Sequence, residues 1–337
     1  MGKLTTLRRA SQIIFFLLIV FIGVIGLQNL NMALKASQVE SEGNALVASP
    51  TGYYEVTDTY GPVKTCRYVA GDARLFKGCE LHFISKTLTT FASANLAFIL
   101  PHIVLFFILA FAFGRLFCGW MCPMGFLQEV AIFARKRLGL GHLKFSERVK
   151  SYLAKAKYAL LSFIIILSLA IAIPFLGLMA FQKELYIAGC QICPARIVIP
   201  FLGGMRPVIY SFDTPIVLAF SIIGVVLLGV YLSSVVFRRP WCRICPSGAM
   251  LSLFNSGSLL SKEKDVQKCT KCGVCSRHCP MDNKNIYLEK RNKRVCTANC
   301  VRCFRCVESC PEKDCLKIRF LGRTLYSSGS RMGKKNG

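Results

Sequence analysis

Acidic residues are scarce in this chain of 337 residues, 17 Asp plus Glu against 43 Lys plus Arg, and histidine is scarcer still at four. The histidine shortage sets a limit. A bis-histidine b-type haem needs two axial imidazoles, and among His82, His102, His142 and His278 only His102 falls inside an apolar run, so haem is disfavoured by counting. Nor does the chain carry a phosphate-binding loop, an activated nucleophile or an acid–base pair in a recognisable arrangement, so it does not read as a complete enzyme by itself. The lack of acid leaves a net charge of +26, which would suit a nucleic-acid binder. Where the charges sit argues against that partner.

What is abundant is apolar surface and sulfur: 53% of the residues are hydrophobic and 18 are cysteine. Four runs reach the roughly 20 residues needed to cross a bilayer as a helix, namely Ile13–Leu30, Thr90–Phe113, Tyr158–Phe181 and Thr214–Phe237. Lys plus Arg against Asp plus Glu is 6 to 6 over residues 31–89, 9 to 2 over 114–157, 3 to 2 over 182–213, and 22 to 7 over the last hundred. Basic segments thus alternate with near-neutral ones, and the positive-inside rule puts both termini and the 114–157 loop in the cytoplasm of a multi-pass inner-membrane protein. Most of the +26 is topology. Ile13–Leu27, behind Lys3, Arg8 and Arg9, also has the form of a signal peptide, which would leave the later topology unchanged.

Most cysteines fall in short clusters, a pattern of metal or redox chemistry rather than of a disulfide scaffold. VQKCTKCGVCSRHCP from Val266 and ANCVRCFRCVESCP from Ala298 each have the C-x2-C-x2-C-x3-C-P spacing of bacterial two-cluster ferredoxins. Three thiolates of each run face one cubane and the fourth reaches the other. Cys269, Cys272, Cys275 and Cys310 are therefore expected to hold one [4Fe–4S] cluster, and Cys300, Cys303, Cys306 and Cys279 a second. Zinc is the competing assignment for any C-x-x-C pair, but two full copies of the pattern weigh against it. The β-prone stretches Asn285–Leu288 and Leu316–Phe320 follow the two Cys-Pro sites as a repeat would require. Cys296 and Cys315 stand outside the pattern, as spare thiols or extra ligands. Lys268, Lys271, Arg277, Arg302 and Arg305 either draw in an acidic electron-transfer protein or simply face water, while His278 reads as a loop hydrogen-bonder.

A second repeat ends the second and fourth apolar runs: RLFCGWMCPMG and RPWCRICPSG share Arg, two residues, Cys, a gap, Cys, Pro, one residue, Gly. Two such halves folded together would gather Cys118, Cys122, Cys242 and Cys245 for a third iron–sulfur cluster, proline and glycine breaking each helix to turn the thiolates inward. The alternative is two pairs of buried thiols that merely end helices. On the outer side Cys66, Cys79, Cys190 and Cys193 form another foursome, read as structural or exchanging disulfides or as a further metal centre. His102, beside Pro101, is a polar kink residue or a quinone hydrogen-bond partner.

With these motifs the chain resembles, over residues 90–320, the membrane polyferredoxins of the NapH, MauN and NosR type. The resemblance implies an integral protein of the cytoplasmic membrane that passes electrons between the quinone pool or a cytoplasmic donor and an enzyme across the membrane, with a redox role for Cys118, Cys122, Cys242 and Cys245. The C-x-x-C form of Cys242 and Cys245, the outer cysteines and the lack of a large flavin-binding outer region depart from the plainest pattern. The expected fold is an α-helical membrane domain of about four transmembrane helices in two repeated halves, plus a C-terminal α+β two-cluster ferredoxin domain. The parts are a first transmembrane helix or signal anchor (1–30), an outer loop (31–89), a membrane domain (90–260), the ferredoxin domain (261–322) and a basic disordered tail (323–337). The expected function is a membrane-bound electron relay; the alternative is a maturation factor that reduces a metal ion or disulfide of a client through the outer thiols.

Overall fold

The computed structural model describes residues 2–21, 47–49, 52–54, 60–61, 78–89, 96–139, 141, 143, 145–173, 188–204, 214–291 and 293–329. Cys66 and His142 lie outside the described residues, as do 22–30, 90–95, 174–181 and 330–337 of the expected spans and tail.

An N-terminal helix α1 (Lys3–Val20) is followed by two small strand pairs, β1 (Val47–Ser49) with β2 (Gly52–Tyr54) and β3 (Tyr60–Gly61) with β4 (Gly78–Cys79). Then come α2 (Glu80–Thr89), α3 (Leu96–Phe113), α4 (Leu116–Trp120), α5 (Pro123–Arg137) and α6 (Glu147–Ala172). Next are α7 (Ala188–Gln191), α8 (Ala195–Leu202), α9 (Pro215–Leu232), α10 (Trp241–Ile244) and α11 (Pro246–Leu253). Side chains set the starts of the long helices: Ser146 accepts from the Val149 amide ahead of α6, and Thr214 from the Val217 amide ahead of α9, where Pro215 takes the first position.

Two helices, Glu147–Ala172 and Pro215–Val235, are long and apolar enough to cross a membrane, and Ile99–Phe113 is a shorter apolar helix. Their outward faces carry large exposed apolar side chains, among them Phe107, Phe111, Phe163, Ile166, Ile222 and Val226. Exposed apolar side chains of this size suit a surface that meets lipid or another protein. The first expected span begins differently from its sequence pattern. Helix α1 starts at Lys3, and its Arg8 and Gln12 are buried rather than left at a membrane surface, because both bond the Gly119 carbonyl.

The C-terminal unit is a three-stranded antiparallel sheet, β5 (Leu260–Lys264), β6 (Leu316–Phe320) and β7 (Arg323–Ser327), with β6 central and Leu260 opposite Phe320. Short helices α12 (Val274–Arg277), α13 (Asn285–Leu288) and α14 (Arg305–Glu308) cover it. Two expectations change here. Asn285–Leu288 is a helical turn and not a strand; the strand partner of Leu316–Phe320 is Leu260–Lys264, whose alternating lysines hid it. The segment 323–337 is not wholly a tail, because Arg323–Ser327 pairs with β6 and completes the sheet.

This unit sits directly on the helix ends. Leu4, Phe113, Leu116 and Trp120 pack into its core of Leu260, Phe304, Val307, Leu316 and Ile318. The Phe113 and Phe320 rings stack at 5.9 Å, and Trp120 Nε1 donates to the Arg302 carbonyl at 3.1 Å. The N-terminus joins the same face, with the Leu4 and Thr5 amides donating to the Glu308 carboxylate at 3.2 and 3.0 Å.

Candidate metal centres

The ferredoxin-like loops repeat in backbone as well as in sequence. Lys271 and Gly273 in the first loop, and Arg302 and Phe304 in the second, all take left-handed φ values of 49–70° at matching places. Such values curl a chain tightly, and three of the four residues are not glycine, so the loop is held to that shape by its surroundings. Each third cysteine, Cys275 or Cys306, then rides on a single helical turn, α12 or α14.

Cys269, Cys272, Cys275 and Cys310 line one small cavity of about 20 Å³, bordered also by Ile286, Tyr287, Pro311 and Leu316. These are the four thiols expected at the first cluster, gathered around one space. Among the described residues no three His, Cys, Asp or Glu side chains converge on a single-ion site. Cys315 lines the same cavity, so this thiol outside the spacing pattern lies beside Cys269 and Cys310.

The second expected set also comes together: Cys279 and Cys306 each lie within electrostatic reach of Cys300 and Cys303. Cys296, the other extra thiol, donates a hydrogen bond to Cys300. That bond, helped by Lys262, holds the Cys300 thiol well below its ordinary pKa, in the thiolate form an iron ligand needs. The two extra cysteines thus lie one at each site, a placement that spacing alone does not reveal.

Lys262 and Lys264, two residues apart on β5, project from the same face and are both buried. Lys264 Nζ is taken up by the carbonyls of Tyr287 and Glu289 at 2.9 and 2.7 Å. Lys262 is only 1% exposed, and its Nζ instead donates to Cys300 Sγ at 3.8 Å. Burial opposes its charge, but Cys300, Cys306, Cys296 and Cys279 hold its pKa well above the usual lysine value. Burying an ammonium costs several kcal/mol, and the Cys300 sulfur at 3.8 Å, if ionised, returns roughly 4 kcal/mol at an effective dielectric of 20.

The membrane-side thiols converge through a reciprocal exchange between the two halves. Cys122 and Cys245 each precede a Pro-initiated helix, α5 and α11, and Cys245 Sγ accepts from the Gly248 amide at 3.5 Å. Arg115 of the first motif reaches across to donate to the Cys242 carbonyl at 2.9 Å, and its guanidinium lies against Gly248. Arg239 of the second motif lies against Gly125. Both arginines are buried to 1% exposure or less. A Cβ at Gly248 would stand 2.8 Å from Arg115 Nη2, which explains the glycine at that place in the motif. Cys118 lies within electrostatic reach of Cys242 and Cys245, and Arg239 within reach of Cys122 and Cys242. Gln128 Nε2 donates to Cys242 Sγ at 3.7 Å. Lys157 of α6, wholly buried, bonds Asn299 at 3.0 Å within reach of Cys118 and Cys245.

Between this foursome and the second ferredoxin set there is almost no intervening protein. Cys242, Met281, Val301 and Cys303 form one small buried unit with Cys118 and Cys279 packed against it. Gly119 abuts the Val301 backbone so closely that a Cβ would overlap its carbonyl oxygen. Beside the contact lies a buried charge cluster: Glu129 of α5 pairs with Arg8 at 2.8 Å, Arg305 at 2.7 Å and Arg239. Burial raises the Glu129 pKa, but the three guanidiniums outweigh it and lower the value to about 2. One carboxylate therefore ties α1, the second motif and the ferredoxin unit together.

Other expected residues fall as follows. Arg302 is not a docking residue; it is 1% exposed and donates to Asn255 and Leu260 inside the fold. Lys268, Lys271 and Arg277 are exposed near Cys272, itself an exposed thiol. His278 bonds the Val274 carbonyl at 3.0 Å. Cys79 and Cys193 share the membrane-domain core with Leu81 and Ile192, and Gly189, next to Cys190, packs on Leu81 and Ile164. His102, on α3, lies 5.5 Å from the Phe83 ring of α2.

The chain matches a 4Fe-4S binding domain family twice, over residues 95–141 and 218–265, and a 4Fe-4S dicluster domain over 261–311. The two copies of the first domain coincide with the two arginine–cysteine motifs. Uncharacterized protein MJ0750 of Methanocaldococcus jannaschii is 30% identical over 230 residues, 66% of this chain and 79% of that protein. The ferredoxin-type protein NapH of Escherichia coli is 26% identical over 66% of each chain, and the putative electron transport protein YccM of the same organism 26% identical over 62% of this chain and 52% of its own. No solved structure matches. Duplicated motif, dicluster head and relatives agree: the chain belongs to the 4Fe–4S ferredoxin-type electron-transfer proteins related to NapH and MauN.

Proposed function

We propose that this protein is a membrane relay for single electrons, with Cys269, Cys272, Cys275 and Cys310 holding one [4Fe–4S] cluster, Cys279, Cys300, Cys303 and Cys306 a second, and Cys118, Cys122, Cys242 and Cys245 a third. Cubanes at these thiolates supply one-electron redox chemistry over a potential range their surroundings tune. The observation that carries the reading is the shared unit of Cys118, Cys242, Cys279 and Cys303, which puts the second and third thiol sets in contact. Exposed Cys272, ringed by Lys268, Lys271 and Arg277, gives an acidic redox protein access to the first set. The chain spans the inner membrane about four times with both termini in the cytoplasm, in keeping with the packing of Leu4 and Phe113 on the ferredoxin unit. The far terminus of the relay is the quinone pool, with His102 as a contact, or an outer redox partner.

Iron and sulfide counting tests this. Anaerobic protein is expected to hold about twelve iron atoms, four per cubane, and the double variant Cys118→Ser, Cys242→Ser about eight with the signals of the head intact. Unchanged iron in that variant removes the third cluster.

A second reading, reduction of a client's disulfide or metal ion through the outer thiols, is favoured by the place of Gly189, next to Cys190. Gly189 packs against Ile164, only seven residues along α6 from Lys157 at the inner foursome, about 10 Å at helical rise. Alkylation of Cys79, Cys190 and Cys193 before and after supplying a cytoplasmic reductant distinguishes it, since a relay with structural outer cysteines gives no change.

A further inference from the structure

The two ferredoxin-like sites differ in one respect that their cysteine spacing conceals. β5 delivers one buried lysine toward each, but only Lys262 touches a thiolate. Lys264 borders the first cavity with its ammonium committed to the carbonyls of Tyr287 and Glu289. The Lys262 ammonium, by contrast, has no carboxylate ion pair and no hydrogen bond other than that to Cys300 Sγ among the described residues. A buried cation is retained in a fold when something compensates it. Here the compensating charges are the sulfurs of the second site.

We infer that Lys262 is a fixed counter-charge that raises the reduction potential of the cluster held by Cys279, Cys300, Cys303 and Cys306, and so makes that site the electron acceptor of the pair. The inference rests on the relay proposed above. A [4Fe–4S] centre becomes more negative by one unit when it takes up an electron, and a positive charge held against its ligand favours the reduced form. In the step, one electron leaves the first site and enters the second. Lys262 keeps its proton throughout, so no proton moves and no other reactant is needed. The consequence is directional: electrons entering beside exposed Cys272 settle next to Cys303, at the contact with Cys118 and Cys242. Lys262 is a positioning residue for charge and touches no substrate.

The test is a potentiometric titration followed by EPR on full-length, anaerobically prepared protein, with Lys262→Met, Lys262→Gln and Lys262→Arg. The second centre is identified by its loss in Cys303→Ser. Loss of the ammonium in Lys262→Met should weaken electron uptake at that centre at least tenfold, a fall of about 59 mV for one electron, and leave the first centre unmoved. Lys262→Arg keeps the charge and should stay with the parent. Should Lys262→Met fail to retain iron at the second site, Lys262→Gln supplies the same comparison. An unmoved potential in a neutral variant with full iron content overturns the inference, as does an equal fall in Lys262→Arg. Parent protein lacking iron in the head would instead overturn the relay itself, so the two failures are distinguishable.

Discussion

The ferredoxin unit and the membrane-side motif solve the same problem, gathering thiolates around one centre, by opposite means. In the head, each set draws three cysteines from a single tight loop, and left-handed residues such as Lys271 and Arg302 bend that loop. In the membrane part, Cys118 and Cys122 must meet Cys242 and Cys245 from the other half of the chain, and no local turn can bring them together. Arg115 and Arg239 do it by crossing between the halves. A locally wound site depends on its metal for shape, whereas a site built between halves depends on packing that exists without metal.

The largest expected effect separates those two dependencies. Cys269→Ser with Cys300→Ser should empty both head sites and unfold β5 to β7, because the head is small and its metal contributes to folding. Cys122→Ser with Cys245→Ser should leave the head folded. Visible absorption and hydrogen exchange of the head read both, and an unfolded head in the second variant would break the comparison.

Glu129→Gln comes next. It leaves Arg8 and Arg239 buried, and Arg305 partly buried, without their counter-charge, which costs about 3–5 kcal/mol, measured as lowered thermal stability in detergent. Acid should act through the same group. A carboxylate depressed from 4.5 to about 2 contributes stability that is complete above pH 4.5 and disappears as pH falls through about 2. The amount is about 3 kcal/mol, and the stability of Glu129→Gln should be flatter across that window. Gly119→Ala should cost less, about 1–3 kcal/mol, by lifting the head from Val301, seen as faster proteolysis of the 254–259 connection. The smallest effect is expected for Gly248→Ala, where the added methyl meets the side-chain end of Arg115 rather than backbone, and iron content at the foursome is the sensitive measure.

Much of the chemistry was legible in the residues themselves. The grouping of the head cysteines was legible in their spacing, because a tight loop carries its thiols together, and Cys269, Cys272, Cys275 and Cys310 do line one cavity. The paired motifs were legible as a repeat. The strand Leu260–Lys264 was not, since its two lysines look like solvent-facing residues until the sulfur-rich interior that accepts them is known. Arg302 misled for the same reason: in sequence a buried arginine and a docking arginine are alike, and only the pocket formed by Asn255, Ser258 and Leu260 tells them apart. The positions of Cys296 and Cys315 were equally hidden.

By itself the sequence determined what the protein can bind and where the chain is apolar, because ligand spacing and hydropathy are local properties that each segment carries wherever it folds. Only the tertiary structure decided which sites touch, that Glu129 clamps three segments, and that one lysine of an otherwise symmetric pair faces sulfur. Those are matters of distance between residues as far apart in the chain as Arg8 and Arg305, and electrostatic energy depends on that distance and on the exclusion of water, neither of which exists before the chain has folded.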